Sequence, residues 1–321
     1  MNKKYTAIII GAGRISSGFD SPVSKEVLTH AHALVKNSSI KFLGFFDINK
    51  SIAKKAALKW GVDFFESLDD VCRLRPDIII ISTPDELHYK TLLEVVKFNP
   101  KIVICEKPIT TNVKDTEKII KIYNKLKIPI AINYSRRFDT SVQLLRKEIE
   151  NGKHGKVIGA VGIYVKGLLH NGSHMVDLAR YLFGNIKDIQ VNHCLNSSID
   201  NDKNVNGFFQ LDNCPQFHLM TGDEKRFTVF ELRIFFEKRC INFFDSGFQS
   251  TVQAVVDSKR YRGYKVLGKS KVKKTNLGNA IPVLLENVIN KLNNKNELVC
   301  TATDAYHTQK SCFAMFNKCK I

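Results

Sequence analysis

A chain of 321 residues with 44% hydrophobic and 25% charged residues can bury a substantial core in about two domains, which excludes a disordered or low-complexity protein. No apolar run approaches the roughly 18 residues of a membrane span, and the one in MNKKYTAIIIG is too short for a signal-peptide core, so a cytoplasmic protein with no membrane partner is expected. The 49 basic and 31 acidic residues give +18, but the lysines are spread along the chain; this reads as a solvated surface that also suits an anionic small molecule, with no nucleic-acid partner.

The first 133 residues alternate regularly. YTAIIIG reads as a strand, KEVLTHAHALVK as a helix, KFLGFFD as a strand and KSIAKKAALKW as a helix. After a weaker VDFFESLDDVCRL segment come strand DIIIIS, helix DELHYKTLLEVVKF, strand KIVICE, helix VKDTEKIIKIYNKL and strand IPIAIN. Short all-apolar strands with helices between them specify a parallel sheet covered on both faces. From Tyr134 the pattern changes: SVQLLRKEIENG is an amphipathic helix stopped at Gly152, followed by many short β-type segments between polar clusters. These predict one large sheet, mostly antiparallel, and the tail is helical. The eight cysteines (Cys72, Cys105, Cys194, Cys214, Cys240, Cys300, Cys312, Cys319) form no Cys-x-x-Cys pair and are expected to be reduced. His193, Cys194, Cys214 and His218 depart from zinc-finger spacing, and no metal is expected.

Gly11-Ala12-Gly13-Arg14-Ile15-Ser16 follows the first strand directly. Gly11 permits a tight turn, and Gly13 lets the backbone approach a pyrophosphate at the next helix N-terminus; Ser16 replaces the usual third glycine. Asp47 ends the second strand, where a carboxylate accepts ribose hydroxyls and repels a 2′-phosphate, favouring NAD. Nearby Lys50 leaves room for NADP, and a plain helix cap is the alternative role for Asp47. Thr83-Pro84 begins the helix after the fourth strand, with Asp85 and Glu86 as ordinary helix-start residues. IVICEKP ends a buried strand in Glu106, Lys107 and Pro108, placing two charges at the carboxyl end of the sheet, where ligands bind in open α/β folds. In LLHNGSHMVDLARYL, Met175, Leu178, Ala179 and Leu182 form the stripe of a helix from about Ser173. His170 and His174 share one face, and the dipole at the helix N-terminus suits His174 to act as a neutral base. Asp177 and Arg180 read as a helix ion pair, and His30 and His32 as structural.

Taken in order, GAGRIS, FFD, STPDELH, CEKP, NYSRRFD and NGSHMVDLARYL resemble the glucose-fructose oxidoreductase/inositol dehydrogenase/MocA family of NAD(P)-dependent sugar oxidoreductases. The resemblance implies a Rossmann domain holding NAD through Gly11, Gly13, Arg14, Ile15 and Asp47, with Thr83, Pro84, His88, Glu106 and Lys107 by the nicotinamide half. It implies that Lys107 reaches the substrate hydroxyl, that the Lys107–Pro108 bond is cis as it often is in the family, and that His174 is the base. Family members usually carry Asp or Asn four residues before that base, with the acid orienting or relaying. His170 stands there instead, followed by Asn171, as a different relay or a turn residue. Arg136, Tyr164 and Asn171 are candidate substrate contacts; a salt bridge for Arg136 or Arg137 and a plain sheet aromatic for Tyr164 are the alternatives.

The expected fold class is α/β: an N-terminal Rossmann doubly wound parallel sheet (1–133), then a C-terminal α+β domain with a large, mostly antiparallel, open-faced sheet (134–321). The last helix is expected to pack back on the first domain, and the sheet to join a homodimer or homotetramer. The expected activity is NAD-dependent hydride transfer at a sugar hydroxyl carbon, on a nucleotide-activated sugar such as a UDP-N-acetylhexosamine oxidised at C3 for surface glycan synthesis. A free polyol or inositol dehydrogenase and a non-catalytic dinucleotide-binding regulator are the alternatives.

Overall fold

The computed structural model of the protein describes residues 4–319. Two compact units emerge: residues up to Phe138 together with Gly278–His307, and Asp139–Leu277 together with the chain from Thr308.

In the first unit, β1 (Tyr5–Ile10), β2 (Ile40–Phe46), β3 (Asp63–Phe65), β4 (Ile78–Ile81), β5 (Ile102–Cys105) and β6 (Ile130–Ile132) form a parallel sheet in the order β3-β2-β1-β4-β5-β6. The runs IIII of β4 and IVIC of β5 are wholly buried, as strands covered on both faces must be. Ile81, Cys105 and Ile132 lie in one register row, so β4, β5 and β6 end level with one another. The intervening helices are α1 (His30–Lys36), α2 (Lys50–Trp60), α3 (Leu68–Leu74), α4 (His88–Val95) and α5 (Val113–Lys125).

The helix expected over 25–36 is shortened to α1, with Thr29 as its cap accepting from the His32 amide. A five-residue π turn, Arg14–Gly18, follows the glycines instead. Asp20 explains the change. Its carboxylate accepts from the Leu28 amide (2.6 Å), the Thr29 hydroxyl (2.5 Å) and His32 Nδ1 (2.7 Å), drawing donors away from an earlier helix start. Burial pushes the Asp20 carboxyl up, but the bonds from Thr29, Leu28 and His32, with the charge of His32, hold it below its ordinary range. Trp60 and Lys59 of α2 both donate to the Ser17 carbonyl, at 3.3 and 2.7 Å, closing the turn from the other side.

The second unit begins with α6 (Thr140–Glu150), capped by Asp139, then β7 (Val157–Tyr164) and α7 (Ser173–Phe183). There follow β8 (Ile186–Asn196), β9 (Lys203–Leu211), β10 (Cys214–Thr221), β11 (Phe230–Phe236), β12 (Arg239–Phe244), β13 (Gln249–Asp257), β14 (Lys265–Leu267) and β15 (Val272–Lys274). The sheet order is β14-β13-β12-β11-β7-β10-β9-β8, with β15 also on β13. Every pairing is antiparallel except β7 with β10, so the sheet is mixed but mostly antiparallel. The lysine-dense run 265–274 supplies two short strands that its charge had hidden. α8 (Ala280–Leu292) belongs to the first unit, where Ile281, Leu284 and Leu285 line a small apolar cavity with His30, Ala33 and Leu34. The last helix is α9 (Ala302–Asn317). Among the described residues, no helix is long and apolar enough to cross a membrane.

One expectation is overturned. Cys194 of β8 is disulfide-bonded to Cys319, just past α9, across a sequence separation of 125; the other six cysteines are thiols. The pairing depends on where the chain returns, which no local spacing records. It also removes Cys194 from any zinc arrangement, and among the described residues no cluster of metal-ligating side chains exists.

Two outcomes follow for stability. Asp20→Ala should cost about 3 kcal/mol, because it strips a buried pair of one partner. A depressed carboxyl contributes stability above its ordinary range that is lost as pH falls through the folded value, so Asp20→Asn should flatten the acid end of a denaturation series. For the disulfide, Cys194→Ser or added dithiothreitol should lower stability by about 4 kcal/mol, as expected for so long a closed loop. A melting temperature indifferent to reductant would mean the bond does not form in solution.

Candidate functional site

The candidate groups of the first unit lie at the carboxyl ends of its strands. Gly11 has φ 96°, and a Cβ there would lie 2.6 Å from the Ser82 carbonyl carbon, so only glycine fits. Gly13 is exposed, and nothing lies within 4 Å of where its Cβ would stand. The turn is packed behind and open in front, as a backbone approached by a phosphate must be. Arg14 beside it is exposed and Ile15 half-buried. The helix N-terminus expected here is only the π turn, since α1 starts at His30.

Asp47 accepts from the Ala12 amide through Oδ2 and from the Asn49 amide through Oδ1, both at 2.8 Å. The cap of α2 is Asn49, not Asp47, so the carboxylate instead ties the end of β2 to the glycine turn. Each of its oxygens keeps accepting capacity for a ribose hydroxyl. Lys50 is turned to Glu66 at 2.7 Å.

Beyond β4, Pro84 is exposed and Thr83 half-buried, with its Oγ1 enclosed and lacking a hydrogen-bond partner. His88 is a correction. It is wholly buried, its Nδ1 lying 2.6 Å from the Pro108 carbonyl and its Nε2 2.9 Å from the Thr83 carbonyl. It braces the two backbone segments and cannot itself touch a cofactor. Glu106 also turns inward: Oε1 lies 2.7 Å from His30 Nε2 and accepts from Asn133 Nδ2 at 2.7 Å. Burial pushes its carboxyl up, but the bond and charge of His30, the Asn133 bond and the Lys107 charge outweigh this and hold it low. His30 is thus more than a filler of α1. Lys107 is half-buried, and its bond to Pro108 is cis. Asn133, itself buried, leaves Oδ1 without a partner. Arg137 pairs with Asp304 at 3.1 Å and donates to the Val299 carbonyl; Arg136 is half-buried. Two orphaned buried polar atoms and an open glycine turn along one sheet edge fit a dinucleotide.

In the second unit, α7 starts at Ser173 as expected, but a π turn runs directly into it. Lys166, at φ 69°, precedes a π turn, Gly167–Gly172, that leads straight into α7. His174 therefore stands inside the run and not at its dipole end, which removes that argument for a neutral ring. The true N-terminal amides are taken by two residues that sequence reasoning missed. Asp202 accepts from Leu169 (3.0 Å) and His170 (2.9 Å), and Asn204 Oδ1 accepts from Gly167 (2.9 Å). Burial raises the Asp202 carboxyl despite its backbone bonds from Leu169, His170 and Lys203. Both residues sit in SSIDNDKNVNG, where only a polar separator is legible.

His170 is exposed and His174 half-buried. The Asn171 amide group donates to the Val165 carbonyl at 2.8 Å. Tyr164 is also a correction: it is fully buried, its hydroxyl donating to the Val205 carbonyl and accepting from the Val205 amide, and burial raises its pKa far above the ordinary. It points into the covered face of the sheet, not at a substrate. Asp177 and Arg180 both bind Thr308 Oγ1.

Residues 6–134 match the model of the family described as "Oxidoreductase family, NAD-binding Rossmann fold" (GFO_IDH_MocA), so the first unit is similar to the NAD-binding Rossmann domain of that family. The inositol 2-dehydrogenase of Rhizobium meliloti (strain 1021) is 27% identical over 157 residues, spanning 46% of this chain but only 42% of that enzyme. The UDP-N-acetylglucosamine 3-dehydrogenase GnnA of Acidithiobacillus ferrooxidans shares the fold at TM-score 0.80 and 16% identity, with 98% and 97% of the two chains covered. The WlbA dehydrogenase of Bordetella pertussis, solved with NADH and UDP-GlcNAcA, does so at 0.75 and 18%, with 98% and 96% covered.

The two glycines should separate experimentally. Gly11→Ala should lower both stability and NAD affinity, with about 1–3 kcal/mol of backbone strain. Gly13→Ala should leave the melting temperature unchanged and weaken NAD alone, as read by titration calorimetry. Unchanged NAD affinity in Gly13→Ala would show that no phosphate approaches that backbone.

Proposed function

We propose that the protein is an NAD-dependent dehydrogenase of a sugar carbon bearing a hydroxyl, with a nucleotide-activated sugar as substrate. The observation that carries this reading is the charged pair Glu106–Lys107 at the carboxyl end of β5, level with Thr83 and Asn133 in an NAD-binding domain. When bound, NAD supplies the hydride acceptor. Lys107 Nζ donates a hydrogen bond to the substrate oxygen and steadies the charge that develops there. A His174 ring nitrogen takes the hydroxyl proton as the adjacent C–H hydride leaves, so proton and hydride depart in separate directions. Gly11, Gly13 and Asp47 hold the diphosphate and ribose. Arg136 and Asn171 are assigned to the substrate side, with His170 as the exposed partner of His174.

The nucleotide-sugar reading is supported by the likeness to GnnA, a UDP-N-acetylglucosamine 3-dehydrogenase, and to WlbA, solved with UDP-GlcNAcA, and by the net charge of +18, which draws anions. A free polyol is the second reading, favoured by the likeness to an inositol 2-dehydrogenase.

Absorbance at 340 nm would be followed with NAD or NADP, offering UDP-N-acetylglucosamine, its uronic acid, myo-inositol and simple hexoses. Turnover of one nucleotide sugar with NAD is expected, falling about 10²–10⁴-fold in Lys107→Ala and in His174→Ala, the scale of a lost proton-transfer group. Turnover of myo-inositol alone would select the polyol reading. NAD binding with no turnover of any of these would leave a dinucleotide-binding protein without the proposed activity.

A further inference from the structure

We infer that His30, with Asn133, is a positioning residue for Lys107, acting through Glu106. The inference deepens the reading of Lys107 as catalytic and rests on it. Glu106 is the one carboxylate adjoining Lys107 in the chain, and its Oε1 is gripped from two elements: Nε2 of His30 on α1 at 2.7 Å and Nδ2 of Asn133 beyond β6 at 2.7 Å. Both partners are buried, at 2% and 4% exposure, so neither bond is shared with water.

The surroundings offer Glu106 few other charges. On its own strand stands the buried thiol of Cys105, whose pKa is raised by burial and by the charges of Glu106 and Asp85. Beside His30, the apolar cavity toward α8 is lined by Ile80, Ile104, Ile281, Leu284 and Leu285. Burial by itself raises the affinity of this carboxylate for protons. Two donors on one oxygen keep it ionised and fix its direction. Lys107, the next residue in the chain, then lies in the field of a fixed negative charge that attracts its ammonium. Removal of His30 leaves a buried carboxylate with one donor fewer; its affinity for protons rises, and the anchor for the ammonium is lost.

The test is a carbon-13 NMR titration of protein labelled at glutamate Cδ, with the Glu106 signal assigned through Glu106→Gln. In the intact protein Glu106 should titrate below ordinary glutamates. In His30→Leu its midpoint should rise by about 1 unit or more, the scale of a lost charged hydrogen-bond partner. His30→Gln, whose amide still donates, should restore most of the shift. With a turned-over substrate, kcat should fall and its acid limb should move up in His30→Leu while the KM for NAD holds. A Glu106 midpoint unmoved in folded His30→Leu overturns the inference, as does a moved midpoint with kcat unchanged. If His30→Leu does not fold, Asn133→Ala is read in the same way. The titration needs no substrate, so its failure is distinct from failure of the dehydrogenase reading.

Discussion

The carboxylate of Asp20 is the constraint on which the cofactor half of the molecule depends. In the simplest βαβ unit, a glycine turn passes directly into a helix, whose own hydrogen bonds hold the turn. Here the chain wanders from Gly18 to Thr29 before α1 begins. A loop of that length has no ladder to order it, so the order comes from one buried acceptor that gathers the Leu28 amide, the Thr29 hydroxyl and the His32 ring. Thr29 is then placed as the cap of α1, and α1 is fixed from its first residue. His32 stacks at a tilt on Trp60, and Trp60 reaches the Ser17 carbonyl, so the lock extends from Asp20 through α1 and α2 back to the turn it secures.

α1 therefore has two duties, carried by residues two apart. His32 serves the glycine turn through Asp20, and His30 serves the end of β5 through Glu106. Both carboxyls are pushed up by burial and pulled down further by their donors, so both remain charged inside the protein. Such pairs add little net stability compared with an apolar filling of the same space. What they contribute is direction: a charge held by several donors at once has only one orientation that satisfies all of them.

Much of this organisation was legible in the chain. Runs such as IIII and IVIC have no polar residue to place against solvent, so they announce a doubly covered parallel sheet. The glycines fall where a tight turn needs them. The faces of β7 were not legible, because VIGAVGIY is apolar on both sides. Met175 of α7 decides the matter: it packs so closely on Gly162 that a Cβ there would lie 2.7 Å from it, and Tyr164, two residues on, turns to the same covered face. Asp20, Asp202 and Asn204 were unreadable for a shared reason. Each accepts from backbone amides some distance along the chain, Asp20 also from Thr29 and His32, and an aspartate in a polar stretch looks the same whether it caps or is solvated.

The acid expected before His174 illustrates how a carboxylate can change its task without leaving the region. With His170 in its place, no side-chain carboxylate occupies that position of the turn. Asp202 nevertheless brings a buried carboxylate to the amide of His170, together with that of Leu169. Acting on the backbone, it holds the π turn from which α7 departs. As an exposed histidine, residue 170 can donate or accept, where an ionised aspartate could only accept.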